Sequence, residues 1–371
     1  MNDRENEITE QFRTKKSRHV GLELLRIVAM GMIVALHLSV HTFHFSDAFG
    51  FAILLNSIIG MICCGCVNLF ALLSGWGGGP RLSRVLLLWG QCLFYSIGIC
   101  LLFYCMDLKV THADWMGGLR PITSNFWWYV TAYFGLLPLM PLFSAGIRVL
   151  SIKQLKQVLL VILIIIVIIP SIYDEWNVYG LNKGYSTLWL AFCYIVGGIL
   201  RRLHEENVIP YAKKWTYSTI IICIILFSSL LYYEGTSLPL HNWAKKCTIR
   251  LFHYYNSPGT CLISIMIFLF FVNLDIKKDF LRQIVVKLGA LTFGTYLITV
   301  HPLVWRRFVN WHIDNLSLGR FLLLFAGLLT GMLAGSFIIE AARQFVFKVL
   351  SSNCAFSWIT IIHNKRNTHF K

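Results

Sequence analysis

Ten apolar stretches, each about 15 to 25 residues long and parted by short polar segments, run through the 371-residue sequence. A helix crossing the hydrocarbon core of a bilayer needs about 20 such residues. In lipid the backbone must satisfy its own hydrogen bonds, so each stretch is expected to be helical. The expected spans are 21–42, 50–74, 82–106, 126–147, 158–173, 186–200, 216–233, 259–274, 288–305 and 320–340. Only 13% of the residues are charged, where a soluble domain carries about 25%. The fold class predicted is therefore all-α, an integral membrane bundle of about ten transmembrane helices.

The net charge of +16 does not indicate a nucleic-acid partner, because Lys and Arg sit in short clusters between apolar stretches and form no continuous stripe. With the N-terminus inside, most of them fall in cytoplasmic segments, including Arg13, Lys15, Lys16, Arg18, Arg201 and Arg202. This bias predicts both termini in the cytoplasm. Residues 1–18 and 346–371 are expected to be cytoplasmic tails around a single membrane domain over 19–345. The first twenty residues are polar, so no signal peptide is expected. The location implied is the plasma or inner membrane of the cell, in multi-pass form, with lipid as the main solvent. Eleven Cys are scattered, and Cys63, Cys64 and Cys66 read as small apolar residues of a helix. No metal is expected.

An ionisable group at bilayer depth costs at least about 2.5–3.5 kcal/mol, so each needs a reason. The first span contains Glu23, Arg26 and His37. Eleven residues separate Arg26 from His37, which places them about 20° apart around a helix and about 16 Å apart along it. A guanidinium near one end and an imidazole toward the other make a polar seam on one face. Arg26 alternatively pairs with Glu23 at i,i+3 or snorkels, and His37 alternatively bonds a neighbouring helix. His41 and His44 continue the spacing but fall at the outer mouth, without an acidic or Cys partner, and read as interfacial. The second span ends in NLFALLSGWGGGPRLSR, where glycines beside Arg81 and Arg84 form either a tight turn with basic anchors or a phosphate cradle.

In order along the chain, several segments resemble the acyltransferase-3 family of multi-pass O-acyltransferases, which modify bacterial surface and exported polysaccharides. Arg26 and His37 match its Arg-x10-His signature, and FALLSGW with Ser74 and Gly75 is similar to its FxxSG element, followed by Arg84. Trp128, Thr131, Tyr133 and Pro141 match its fourth-helix pattern, and Tyr185, Trp189, Tyr194, Gly197 and Arg201 the G-Y-S segment. Tyr255-Asn256-Ser257-Pro258 and LTFGTYLITVHPLVW look like the exopolysaccharide branch. The chain departs from the family where Thr299 replaces the His of YLIH, with His301 two residues on, and where Leu137 replaces a Tyr.

The resemblance implies an acyltransferase, acting most often with acetyl, that moves an acyl group from cytoplasmic acyl-CoA (acetyl-CoA) as co-substrate to a saccharide hydroxyl, with no bound cofactor. An imidazole is largely neutral at pH 7 and can take the hydroxyl proton, so His37 is the expected base, acting directly or as a nucleophile. Arg26, too far away to reach that atom, is expected with Arg84, Arg81 and Ser74 to hold the donor. Trp128, Tyr133, Tyr194, Tyr296 and His301 are candidate pocket walls or acceptor contacts. Asn256 either contacts the acceptor or, with Ser257, caps the eighth span. A saccharide flippase and a non-catalytic export subunit are the rival readings.

Overall fold

The computed structural model describes residues 19–44, 51–80, 82–124, 126–173, 177–208, 213–235, 240–309, 313–314 and 316–352. These are helical apart from turns and one parallel pairing of two residues with two, Phe43–His44 with Ile313–Asp314. Eight helices are long and apolar enough to cross a membrane, or up to ten if each of two bent pairs is one span. The expected tail 1–18 lies outside the described residues, as do 353–371. The last helix runs without a break through position 345 to Ser352.

In chain order, α1 (Val20–His37) ends in a π-turn over Leu38–Thr42, and α2 (Phe51–Cys63) and α3 (Cys66–Gly77) share the second span across a break at Cys64–Gly65. Next come α4 (Leu82–Cys105), the short α5 (His112–Leu119), α6 (Trp128–Leu136), α7 (Met140–Val149), α8 (Ile152–Leu163) and α9 (Ile169–Tyr173). The rest are α10 (Thr187–Glu205), α11 (Lys213–Gly235), α12 (His241–Thr248), α13 (Pro258–Val272), α14 (Asp279–Gly289), α15 (Thr292–Thr299), α16 (Pro302–Val309) and α17 (Leu318–Ser352).

Local chemistry sets several of these ends. Thr111 and Asp114 form a capping box on α5, and Ser151 and Gln154 form one on α8. Ser186 caps α10 by accepting from the Trp189 N–H at 3.2 Å. Gly78 stops α3 with φ +81°, a conformation that costs glycine nothing.

Two expected spans are corrected. The fourth, 126–147, breaks into α6 and α7 with a 54° bend, because Pro138 lies between them and donates no N–H. The ninth, 288–305, belongs to a span over Asp279–Thr299, and the chain turns off into α16 at Pro302. Pro302 cannot donate to the preceding turn, so the helix ends before it.

α1 lies at the centre, touching α2, α3, α13, α14, α15 and α17. Its interior face, Leu25, Ala29, Met30 and Val34, is wholly buried. The closest crossing is between α3 and α10. A Cβ on Gly75 would collide with the Tyr194 carbonyl, and one on Gly197 with the Leu72 carbonyl. In lipid, where burial gives no advantage over hydrocarbon, such small-residue contacts supply the packing. Gly75→Val is expected to cost at least about 1–3 kcal/mol by forcing the helices apart, read as a lower unfolding temperature in detergent. An unchanged temperature would show that this crossing adds nothing to stability.

Candidate active site

A cavity of about 510 Å³ runs beside α1 and is walled by α3, α4, α6 and α15. That size lies within the range of about 300–1,000 Å³ common for small-molecule sites. Both Glu23 and Arg26 line one end, with Gly77, Gly79, Pro80 and Arg84; His37 lines the other. Because α1 is one unbroken helix from Val20 to His37, the rise of about 1.5 Å per residue keeps Arg26 and His37 about 16 Å apart on the same cavity.

The structure brings Arg26, His37, Ser74, Arg84, Trp128, Tyr133 and Tyr296 to this cavity. Arg81 lies outside the described residues. Arg26 Nη1 donates to Glu23 Oε1 at 2.5 Å, and Glu23 is 5% exposed. The i,i+3 pairing and the cavity position thus occur together. Among the described residues only one guanidinium nitrogen is engaged, so the other Arg26 N–H groups remain. Glu23 Oε2 is buried without a hydrogen bond among the described residues. Tyr133 faces Ser74, with Arg84 and Arg26 near its phenol. Among the described residues Arg84 makes no ion pair.

His37 makes no hydrogen bond among the described residues. Its ring meets Trp305 of α16 edge to face, with centroids 4.4 Å apart, and Trp305 in turn meets His41 at 4.8 Å. The imidazole is therefore oriented by an aromatic ring instead of a carboxylate. Trp305 went unmarked in the sequence because it fell inside an expected continuous span; the Pro302 that turns the chain was the available signal.

Three candidate wall residues stand elsewhere. Tyr194 is wholly buried behind α3, its hydroxyl 2.7 Å from that of Ser144. His301 is wholly buried and accepts the Leu303 N–H at Nδ1, 3.2 Å away. Asn256 is 1% exposed, and neither side-chain polar atom has a partner among the described residues. It does not cap α13: the N-cap is Ser257, whose hydroxyl accepts the Tyr254 N–H at 3.1 Å. Asn68, not singled out in the sequence, fixes the wall behind Trp128. Its carbonyl accepts from Trp189 Nε1 at 2.8 Å and its amide donates to the Tyr255 carbonyl at 2.9 Å, while Tyr255 stacks on Trp128 at 5.7 Å.

A second, shallower cavity of about 440 Å³ lies between α5 and the start of α16. Asp114 is 7% exposed there and paired with Arg306 and Thr111. Burial works to raise its carboxyl pKa, but the bonds from Thr111 and Arg306 outweigh burial and hold it below the usual range. Among the described residues no group of three or more His, Cys, Asp or Glu side chains comes together to hold a metal.

Residues 19–341 match the family model described as an acyltransferase domain. No curated protein and no solved structure matches the chain.

Proposed function

Because the chain belongs to the acyltransferase-3 family, and is therefore a multi-pass membrane acyltransferase, we propose that it moves an acetyl group from cytoplasmic acetyl-CoA to a hydroxyl of a cell-surface or exported saccharide. What supports this reading most is one observation: Arg26 and His37 line a single cavity from opposite ends of one helix.

In this reading the Arg26 end opens toward the cytoplasm, on the side favoured by the Lys and Arg clusters. Arg84, which has no carboxylate partner among the described residues, and the remaining N–H groups of Arg26 meet the phosphates of the donor. The pantetheine arm follows the cavity past Ser74 and Tyr133, bringing the thioester to His37. The imidazole takes the proton of the saccharide hydroxyl as its oxygen forms a bond to the thioester carbonyl. The carbon–sulfur bond breaks, and the leaving thiolate receives the proton held by the imidazolium. Trp305 keeps the ring aligned and its face stabilises the transient cation.

The test follows label from radioactive acetyl-CoA into the saccharide fraction of membranes containing the protein. Label that depends on His37 supports the proposal; movement of saccharide across the membrane with no labelled product would replace it with transport. A hydrogen bond to a charged group contributes about 1.5–3 kcal/mol. Arg84→Ala and Arg26→Ala should therefore each weaken acetyl-CoA binding at least about tenfold, as measured by isothermal titration in detergent. Wild-type affinity in both variants would remove the arginines from the donor site.

A further inference from the structure

Two short chain segments form the wall between the two cavities. Phe126 lines the shallow cavity and Trp128 the deep one; Pro302 lines the shallow cavity and Val300 the deep one. Between them stand Trp127 and His301, 1% and 0% exposed, with ring centroids 5.8 Å apart. In each segment a single residue thus parts a lining residue of one cavity from a lining residue of the other. Trp127 Nε1 is buried in it with no hydrogen-bond partner among the described residues. The same turn that carries His301 starts α16, which places Trp305 on His37 and Arg306 on Asp114. The shallow cavity adjoins α5, beyond the Cys105 end of α4, whereas Arg84 belongs to the opposite end.

From this arrangement we infer that the shallow cavity is the docking site of the saccharide acceptor, and that the Trp127–His301 partition is the gate through which its hydroxyl reaches His37. The inference rests on the acyl-transfer reading above. Its lining suits a polyhydroxylated ligand. The carboxylate of Asp114 accepts from the Thr111 N–H and hydroxyl and from Arg306, which leaves lone-pair capacity for one more donor such as a sugar hydroxyl. Exposed Arg120 adds donors, and the Ser124 hydroxyl, which donates to the Gly117 carbonyl, adds an acceptor. Phe126 offers an aromatic face to the apolar side of a sugar ring. A closed partition keeps water away from the thioester while no acceptor is bound, and the unpaired Trp127 N–H supplies a donor to the hydroxyl that passes it.

The experiment fills the shallow cavity and leaves the deep one alone. Ala113, exposed on α5, lines the shallow cavity only. In Ala113→Trp, saccharide labelling from radioactive acetyl-CoA is expected to fall at least about tenfold, with the Kd for acetyl-CoA within about twofold of wild type. Retained donor binding reports a folded protein; if it is lost, Ser124→Trp, at another exposed lining residue, takes its place. Full labelling in a donor-binding variant overturns the docking site and leaves acyl transfer standing. Absence of His37-dependent label in the wild-type protein would instead remove the acyl-transfer reading, and this one with it.

Discussion

His37→Ala is expected to lower acyl transfer by about 10²–10⁴-fold, the usual contribution of a positioned general base, while acetyl-CoA binds as in the wild type. The two effects separate because Arg26, assigned to the donor phosphates, lies about 16 Å away along α1, and Arg84 lines that same end. Loss of an imidazole at one end of the cavity changes no contact at the other. His37 also makes no hydrogen bond among the described residues, so its removal strands no partner there, and the protein should fold. Single-turnover measurement of labelled saccharide beside a binding titration checks both halves. A variant that transfers at the wild-type rate would eliminate His37 as the base. One that loses donor binding to the same degree as transfer would mean that the imidazole serves affinity, not the chemical step.

The largest effect on stability is expected away from the cavity. Glu340 of α17 is wholly buried. Its carboxylate accepts from Tyr95 at 2.5 Å, Gln91 at 3.2 Å, Gln344 at 2.8 Å and Arg343 at 2.8 and 2.6 Å. Removing one partner of a buried pair leaves an uncompensated charge, so Arg343→Ala should destabilise by about 3–5 kcal/mol. Neutralising the acid as well, as Glu340→Gln with Arg343→Met, removes the stranded charge while the amide carbonyl still accepts from Tyr95, and should recover part of the loss. Unfolding in mixed micelles measures the two. Equal stability of Arg343→Ala and wild type would show that the network contributes nothing to holding α17. Glu340 also presses on Gly294 of α15, the helix that carries Phe293 and Tyr296 into the cavity wall. Loosening of α17 is thereby transmitted to the site.

What could be read from the sequence follows from helical periodicity. Arg26 and His37 share a cavity because an interval of eleven residues returns to the same face of any straight helix. The all-helical class follows from the length of the apolar stretches, and Trp128, Tyr133, Tyr296 and Arg84 reach the cavity along with the motifs that carried them. Other features depend on three-dimensional packing. Hydropathy runs straight through Pro138 and Pro302, so the bend between α6 and α7 and the departure of α16 were hidden in continuous apolar text. Tyr194 and His301 lie in equally suggestive strings, but a string does not say which side of a helix or turn meets the cavity. Nothing local marks Glu340, at the end of the apolar stretch 320–340, as part of a network, since its partners Gln91 and Tyr95 come from a span some 245 residues away.

The touching backbones of α3 and α10 have a consequence for selectivity. Ser74 stands on the cavity next to Gly75, whose position is fixed by main chain against main chain. That backbone cannot draw back to widen the cavity around the donor arm, and only the α3 side chains that line it, such as Phe70 and Leu73, can move. Accommodation is left to side chains, among them Phe70, Trp128, Tyr129, Tyr133 and Phe293. What the cavity admits is therefore set by the rotation of side chains and not by the separation of these two helices.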